Sequence, residues 1–295
     1  MRIEGPPLRH SWLPVWDVAR VTESISAGAV HRALDPIARA ELDGIGDLSA
    51  KVAGALQHPK PLDISLPVFN AVLAAQYYEL FAVLGLPRTM QVYEPCVGGS
   101  NPVIIGAAAH SGEQARYMAM NLNRKLREEL RAKTAHLRMS ITIIEEDAQA
   151  ACAVLPAESC DVACFHHAVN DILQTAVAES HGMDTTHIDW FPNERKMIEW
   201  LAEEVAMDGL DERGRPELME IVTGAVRLVR PGGYLIFDHW NWCKYVGVEW
   251  FPWELFYQLI PMTRRWITES KLPLTEIQIE GADGQWWMVL RKDEG

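Results

Sequence analysis

The chain has few cysteines and no long uninterrupted apolar run. Its five cysteines are odd in number and loosely spaced, which argues against a disulfide framework or a paired zinc site. We therefore expect reduced thiols, no bound metal and a cytoplasmic location. The first residues carry prolines without the apolar centre of a signal peptide, and no apolar run approaches about 18 residues. We expect no membrane partner.

Basic residues are scarce relative to acidic ones. The 27 Lys and Arg stand against 40 Asp and Glu, which gives a formal net charge of −13. An acidic surface repels phosphate backbones, so we expect a small-molecule substrate and no nucleic-acid partner. The most basic stretch, 124–133, also contains Glu128 and Glu129, a mixture typical of a solvated helix face. The oligomeric state is left open, with a homodimer as one option.

What remains is an ordinary soluble composition, with 48% hydrophobic and 23% charged residues among 295. That length suits one large domain, or a core with an extra layer. Residues 1–88 predict an N-terminal helical cap, with helices over 17–34, 49–56 and 66–84. Residues 89–295 have a different sequence pattern, and we expect them to form the core.

In the core, short apolar segments alternate with helical ones. This alternation predicts an α/β fold whose mostly parallel sheet carries helices on both faces. The strand candidates are 90–93, 115–120, 140–144, 161–165, 234–237 and 286–290. The helix candidates are 102–110, 123–136, 195–207, 216–229 and 252–267. A longer gap at about 174–215 predicts an insertion over the edge of a site.

The first strand candidate leads into a loop of small residues, Glu94-Pro-Cys-Val-Gly-Gly-Ser-Asn-Pro102. Gly98 and Gly99 let a ligand approach the backbone closely, and Asn101 suits the N-cap of a following helix. The loop lacks the Gly-Lys-Ser/Thr of a P-loop and the G-x-G-x-x-G of a dinucleotide site. A carboxylate beside it would repel phosphate and suit a cationic ligand. Taken alone, the loop is equally typical of a plain tight turn.

Later strand candidates also border polar or small residues. Glu145-Glu-Asp-Ala148 follows the third, Phe165-His-His-Ala-Val-Asn-Asp171 continues from the fourth, and Arg227-Leu-Val-Arg-Pro-Gly-Gly233 predicts a turn before the fifth. A carboxylate at a strand end can accept a hydrogen bond from a ligand's amino group. Asp-Ala after a strand is also a common helix N-cap, so this segment alone decides little.

In order along the chain, these segments resemble the class I S-adenosylmethionine-dependent methyltransferases, over about residues 66–295. The resemblance implies a seven-stranded, mostly parallel Rossmann-like sheet whose last strand is antiparallel. It implies methyl transfer from S-adenosylmethionine to O, N or C of a small molecule, with S-adenosylhomocysteine as the product.

The resemblance also implies positions for the cofactor. The Gly-rich loop would hold its methionine and ribose portions, the acid after the third strand its adenine, and the end of the fourth strand would line cofactor and substrate. The implied cofactor residues are Glu94, Cys96, Gly98, Gly99, Asn121, Asp147, Ala148 and His166.

The chain departs from the family pattern in two ways. The family usually has Gly where Cys96 and Ser100 stand, which would make this loop less open. It usually has an acid after the second strand to bind the ribose hydroxyls, where this chain offers Asn121 or, second, Asn123. Asn can hydrogen-bond a diol but carries no charge.

Methyl transfer requires an aligned, desolvated nucleophile, and a hydroxyl or ammonium acceptor also requires a base. Side chains at or just beyond strand ends are the candidates, with a structural hydrogen bond as the alternative for each. The catalytic candidates are His166, His167, His239 and Asp171, and Asp238 occupies a similar position.

Two other groups of residues are candidates for binding a ligand. Trp240 and Trp242 begin an aromatic stretch that predicts a substrate wall, or equally a packing surface for the N-terminal helices. An alternative hypothesis is a metal site formed by the His and Asp residues of 181–189. His166 and His167 are poorly placed to share an ion, because adjacent residues of an extended segment face opposite ways.

Two rival functions stay open. An aminopropyltransferase-like enzyme on the same fold would need an acidic polyamine site, for which Asp161, Asp171 and Asp238 are candidates. A non-catalytic protein that binds an adenosyl ligand or a protein partner would keep the fold without turnover.

Overall fold

The structure, a computed structural model, describes residues 2–3, 16–56, 64–239 and 248–294. Its centre is a sheet built from short strands that are mostly buried. The strands are β1 (Arg2–Ile3), β2 (Gln91–Pro95), β3 (Arg116–Met120), β4 (Ser140–Ile144), β5 (Cys160–His166), β6 (Val229–Asp238), β7 (Leu274–Ile277) and β8 (Trp287–Lys292).

The strands follow the order β1-β7-β8-β6-β5-β2-β3-β4 across one eight-stranded sheet. β8 pairs antiparallel with β6 and β7, and the other pairs are parallel. Without the two-residue β1 at the edge, seven strands remain, and the last in sequence is the antiparallel one. The Rossmann-like sheet that the resemblance implied is confirmed.

The helices lie between and beside these strands. They are α1 (Val18–Ser26), α2 (Ala29–Ala33), α3 (Pro36–Asp43), α4 (Leu48–Leu56), α5 (Leu66–Val83), α6 (Pro102–Ser111), α7 (Arg124–Thr134), α8 (Ala151–Val154), α9 (Ala168–Ser180), α10 (Trp190–Ala206), α11 (Leu210–Leu228) and α12 (Trp253–Ser270). A short 3-10 turn, Ala148–Ala150, precedes α8. The helix predicted over 17–34 is two helices, because the chain breaks between α1 and α2.

Helix α5 joins the N-terminal helices to the sheet. A Cβ on Gly106 of α6 would lie 2.7 Å from Tyr77 Cβ and 2.8 Å from Ala74 O, so the two helices meet closely at this glycine. α5 is long and apolar enough to cross a membrane by length and composition, yet 67% of it is buried within the protein. Its apolar character is therefore explained by its place in the core.

Besides the two-residue β1, two segments of the sheet differ from the strand candidates. β6 begins at Val229 and runs through Pro-Gly-Gly, which the sequence predicted as a turn; Gly232 takes a positive φ of 77° there. β7 was not among the strand candidates. The ends of the predicted insertion 174–215 belong to α9 and α11. Residues 181–194, here named the covering segment, include the start of α10.

Candidate active site

The first cavity opens at the carboxyl ends of β2, β3 and β4. It contains about 900 Å³ of space free of protein atoms, part of it open to solvent, within the usual range for small-molecule sites. Its lining includes six residues that were singled out in the sequence. These are Cys96, Asn121, Asn123, Asp147, Ala148 and Asp171.

The loop after β2 takes the backbone shape that glycine usually supplies. Cys96 has a φ of +54°, in the left-handed region. The next residue is held at both backbone groups: Val97 N donates to Met120 O at 3.2 Å, and Asn121 Nδ2 donates to Val97 O at 2.5 Å. The departure from Gly at Cys96 therefore leaves the loop in a glycine-like conformation.

Asn121 both shapes the site and lines it. Its Oδ1 accepts from Asn123 N at 2.6 Å, while Nδ2 holds the loop at Val97. Arg127 Nη1 donates to the Asn121 carbonyl at 2.9 Å. An amide has two N–H groups and two acceptor lone pairs, so one of each stays available for a diol.

Asp147 caps a turn and also lines the cavity, so its predicted contact with a ligand stays a prediction. Its Oδ1 accepts from Gln149 N at 2.9 Å and caps the 3-10 turn, and its side chain lines the first cavity. Gln149 in turn donates to Glu217 of α11. The cap fixes the carboxylate at the cavity wall.

The second cavity adjoins the first and shares Leu126, Asp171 and Trp190 with it. Gly98 and Gly99 line it from the loop, and His166 and His167 from the end of β5. A Cβ on Gly98 would have no atom within 4 Å, whereas one on Gly99 would lie 2.6 Å from Glu129 Oε2. Lys133 donates to Gly99 O and fixes the loop from α7.

Glu94 lies beneath the loop and lines neither cavity as described. It is 2% exposed, and Tyr117 donates a hydrogen bond to its Oε2. Burial raises the pKa of Glu94 to about 7, although His166 and the Tyr117 hydroxyl oppose the rise. Glu94 therefore supports the loop from below, and its predicted contact with the cofactor stays a prediction.

His166 is held by a carboxylate on the neighbouring strand. His166 Nδ1 lies 2.9 Å from Asp238 Oδ2 and 3.1 Å from Oδ1. Tyr77 of α5 donates its hydroxyl to Asp238 Oδ1. Burial alone would lower the pKa of His166, but the Asp238 carboxylate, with Glu94 and Asp171, raises it above the ordinary value.

His167 and His239 form a stacked pair. Their ring centroids are 4.3 Å apart with planes 4° from parallel. His167 has a left-handed backbone at the N-cap of α9 and lines the second cavity. His239 is fully buried beside Phe256 and Trp286. His239 is not among the residues that line the two cavities, and its place among the candidate bases stays a prediction.

The predicted substrate tryptophans Trp240 and Trp242 lie outside the described residues. Farther along the same stretch, the guanidinium of Arg195 lies over the ring of Trp250, 4.9 Å from the ring centroid. Trp253 lies 4.5 Å from Phe251, between ring centroids. The described part of this aromatic stretch packs against α10 and α12.

The His and Asp residues of 181–189 do not gather into one site. His187 pairs with Asp184 at 2.7 Å on the exposed surface, His181 stacks on Trp200, and Asp189 pairs with Lys125. Within the ranges that the structure describes, no group of three or more His, Cys, Asp or Glu side chains could hold a metal ion.

Several lining residues were not singled out in the sequence. The N-terminal helix α5 contributes Leu66 and Phe69, and the covering segment contributes Trp190, Phe191 and Glu194. Leu66 and Phe69 lie 100 and 97 positions before His166, their cavity neighbour on β5, and no local pattern marks any of the five. Only the unusual length of the predicted insertion hinted that its residues cover the site.

No family model and no curated protein matches the chain. Solved structures with a similar fold include PH0851, at 14% identity and a TM-score of 0.48, covering 80% of this chain and 50% of that one. Cofactor-bound Rv0187 from MTB matches at 15% identity and a TM-score of 0.45, covering 97% and 100%. The CurJ carbon methyltransferase matches at 13% and 0.44, covering 94% and 67%.

This chain thus spans about half the length of PH0851. At these identities the likeness concerns the fold, and the sheet itself defines that fold. Its strand order, with the single antiparallel last strand of the seven, is the Rossmann-like arrangement that the sequence resemblance implied.

Proposed function

We propose that this chain is an S-adenosylmethionine-dependent methyltransferase that acts on a small molecule. The observation that carries the proposal is the pair of adjoining cavities at the carboxyl edge of the sheet, where ligands of such folds bind. One cavity holds Asn121, Asp147 and Ala148, and the other holds the open face of Gly98 beside His166.

The residues fit the proposed cofactor. Asp147 can accept from the adenine amino group, and the spare groups of Asn121 can pair with the ribose hydroxyls. The clear space beside Gly98 leaves its backbone open to the methionine portion. Asp171 borders both cavities, so its carboxylate favours a cationic centre where they meet. The bound cofactor would supply a methyl group on a sulfonium.

The second cavity suits the methyl acceptor. Leu66, Phe69 and Phe191 give it apolar walls, which exclude water and hold an acceptor in line with the reacting methyl. His166 lines the same space and can take the proton of a hydroxyl or ammonium acceptor. The chain's own helices α5 and α10 wall this cavity, which favours a small acceptor over a polymer.

An aminopropyl transfer is the second candidate. Glu129, Asp171 and Glu194 all line the second cavity, an acidic set that would suit a polyamine. The products separate the two reactions. A cofactor labelled in the methyl group passes label to the acceptor in methyl transfer and leaves it on the thioether nucleoside in aminopropyl transfer.

Calorimetry with S-adenosylmethionine and S-adenosylhomocysteine tests the proposal. The wild type should bind both, and Gly98→Val should weaken binding at least about tenfold, because its side chain enters the open space. Gly46→Val is the matched control, since a Cβ there also meets no atom within 4 Å and Gly46 lies outside both cavities. No binding of either compound by the wild type would refute the proposed function.

A further inference from the structure

We propose that Asp238 and Tyr77 are positioning residues that orient His166 as the base for the methyl acceptor, so that helix α5 forms part of the catalytic machinery. The reaction itself rests on the proposed function. The geometry of the three side chains stands independently, and it joins residues that lie 161 and 72 positions apart in the chain.

The sheet register brings the histidine and the carboxylate together. His166 ends β5, Asp238 ends β6, and the two are directly paired in the parallel ladder. Asp238 is fully buried and accepts at both oxygens, from His166 Nδ1 and from the Tyr77 hydroxyl. A buried carboxylate with two such donors has a fixed orientation.

That fixed carboxylate selects the tautomer of the imidazole. Because Asp238 is an acceptor, Nδ1 of His166 carries a proton and donates it to the carboxylate. Nε2 is then the ring nitrogen that exchanges a proton with the acceptor. His166 is 7% exposed at its side chain and lines the second cavity, so the ring is nearly dry yet reaches the space for the acceptor.

Tyr77 has a polar role inside an apolar helix. Its ring is fully buried, packs edge-on against His166 at 5.9 Å and lies 5.5 Å from Trp287, between centroids. A buried tyrosine hydroxyl needs a partner, and this one reaches Asp238. Phenylalanine would fill the same space, so the hydroxyl is the part of Tyr77 that packing alone does not require.

The titratable groups that act on His166 lie on several neighbouring elements. Asp238 faces it from β6, Glu94 from β2 and Asp171 from α9, while Tyr77 contacts it from α5 and His167 follows it in the chain. The carboxylates outweigh burial and raise the pKa of His166. The neutral imidazole required of a base therefore predominates only at a higher pH than it does for an ordinary histidine.

The proton and electron balance of the step is simple. The acceptor's O–H or N–H proton passes to His166 Nε2. The acceptor's electron pair forms the bond to the methyl carbon, and the pair of the breaking C–S bond stays on sulfur, which becomes neutral. The positive charge has moved from the sulfonium to the imidazolium, where Asp238 stabilises it.

Histidine NMR titration tests the arrangement without an acceptor. The His166 resonance is assigned by its loss in His166→Gln, and its pKa and Nδ1–H signal are measured in the wild type, Asp238→Asn and Tyr77→Phe. Asp238→Asn should lower the pKa by about one unit or more, a tenfold change in proton affinity. Tyr77→Phe should keep the charge but broaden the Nδ1–H signal, because the carboxylate is no longer fixed.

Asp161→Asn is the matched control. It removes the charge of another buried carboxylate, at the opposite end of the paired strands, and should leave the His166 pKa unchanged. An unchanged pKa in Asp238→Asn overturns the inference, and a sharp Nδ1–H signal in Tyr77→Phe overturns the part assigned to Tyr77. Calorimetry with S-adenosylmethionine on the same samples separates these outcomes from failure of the proposed function, which predicts binding by the wild type.

Discussion

Tyr117 donates its hydroxyl to Glu94, and both side chains are buried beneath the loop that connects β2 to α6. The hydrogen bond favours the charged carboxylate, whereas burial favours the neutral acid. The effect of burial is the larger of the two, since the pKa of Glu94 rises from 4.5 to about 7. The folded protein therefore binds a proton here that the unfolded chain has lost between about pH 4.5 and 7.

Glu94→Gln should make folding less dependent on pH. A group whose pKa is raised by folding stabilises fully below its unfolded pKa, and that contribution is lost as the pH rises to the folded pKa. The amide keeps an acceptor for Tyr117 but cannot ionise. We expect the variant to exceed the wild type in unfolding free energy at pH 8, by up to about 3 kcal/mol, and to match it more closely near pH 5. Denaturant titration at both pH values measures the difference.

Tyr117→Phe should change the unfolding free energy at pH 8 in the opposite direction, and it serves as the companion variant. Without the hydroxyl, the ionised Glu94 loses its donor, so stability should fall at pH 8 more than at pH 5. Identical pH slopes for the wild type and Glu94→Gln would show that Glu94 does not carry this proton.

Asp147→Ala should weaken S-adenosylmethionine binding by ~1–3 kcal/mol, the range for a buried partner left without its hydrogen bond. The substitution also removes the cap at Gln149 N. Asp35→Ala controls for that loss, because Asp35 caps α3 through Ile37 N and Ala38 N and lies outside both proposed cavities. Calorimetry should give the Asp35 variant wild-type affinity. Wild-type affinity in the Asp147 variant as well would remove adenine from this position.

Cys96 is the third test, through its left-handed backbone. A β-branched residue is strained there, so Cys96→Val should lose about 1–2 kcal/mol of unfolding free energy. Cys96→Gly should stay near the wild type, because relief of strain offsets the flexibility that glycine adds to the unfolded chain. Cys152→Val, on the exposed face of α8, controls for the change of side chain at an ordinary φ. Equal stability of the Val and Gly variants at position 96 would contradict the argument.

The sheet could be predicted largely from sequence because most of its strands are short apolar runs between helical patterns. β7 was missed because Leu274–Ile277 has only four residues, and two of them are polar although all are buried. The start of β6 was missed for another reason. Pro231, Gly232 and Gly233 are turn residues, but they enter the strand where its register with β5 shifts between Cys160 and Val162. Such irregular pairing is a tertiary property that a local pattern does not record.

The site residues also fall into some that the sequence could predict and some that it could not. Asp147, Asn121 and the glycines follow strand ends, and the carboxyl edge of a parallel sheet gathers whatever follows its strands. Phe69, Trp190 and Phe191 reach the cavities from helices, where an aromatic residue in an apolar run predicts only core packing. Burial sets Glu94 and His239 apart from the residues that line the two cavities, because strand ends turn side chains inward as well as toward a ligand.

Asn123 attaches the covering segment, and this gives the last prediction. Its Nδ2 donates to Thr185 O and Ile188 O, each at 3.0 Å, while its Oδ1 caps α7 at Leu126 N. Asn123→Asp keeps the cap but directs an oxygen at two carbonyls. We expect amide hydrogen exchange in residues 181–194 to accelerate by roughly tenfold or more, in line with the loss of a buried hydrogen bond, and S-adenosylmethionine to dissociate faster.

Asn193→Asp is the matched control for that change. It places the same added charge on the covering segment itself but alters an exposed hydrogen bond to Asp189 O. Exchange in residues 181–194 should stay near the wild-type rate in this variant, because the contacts of Asn123 with Thr185 and Ile188 are intact. If Asn123→Asp also left exchange unchanged, the segment would have to be held mainly by its other contacts, such as the ion pair of Lys125 with Asp189. The two variants therefore distinguish attachment through one buried amide from attachment through surface charge.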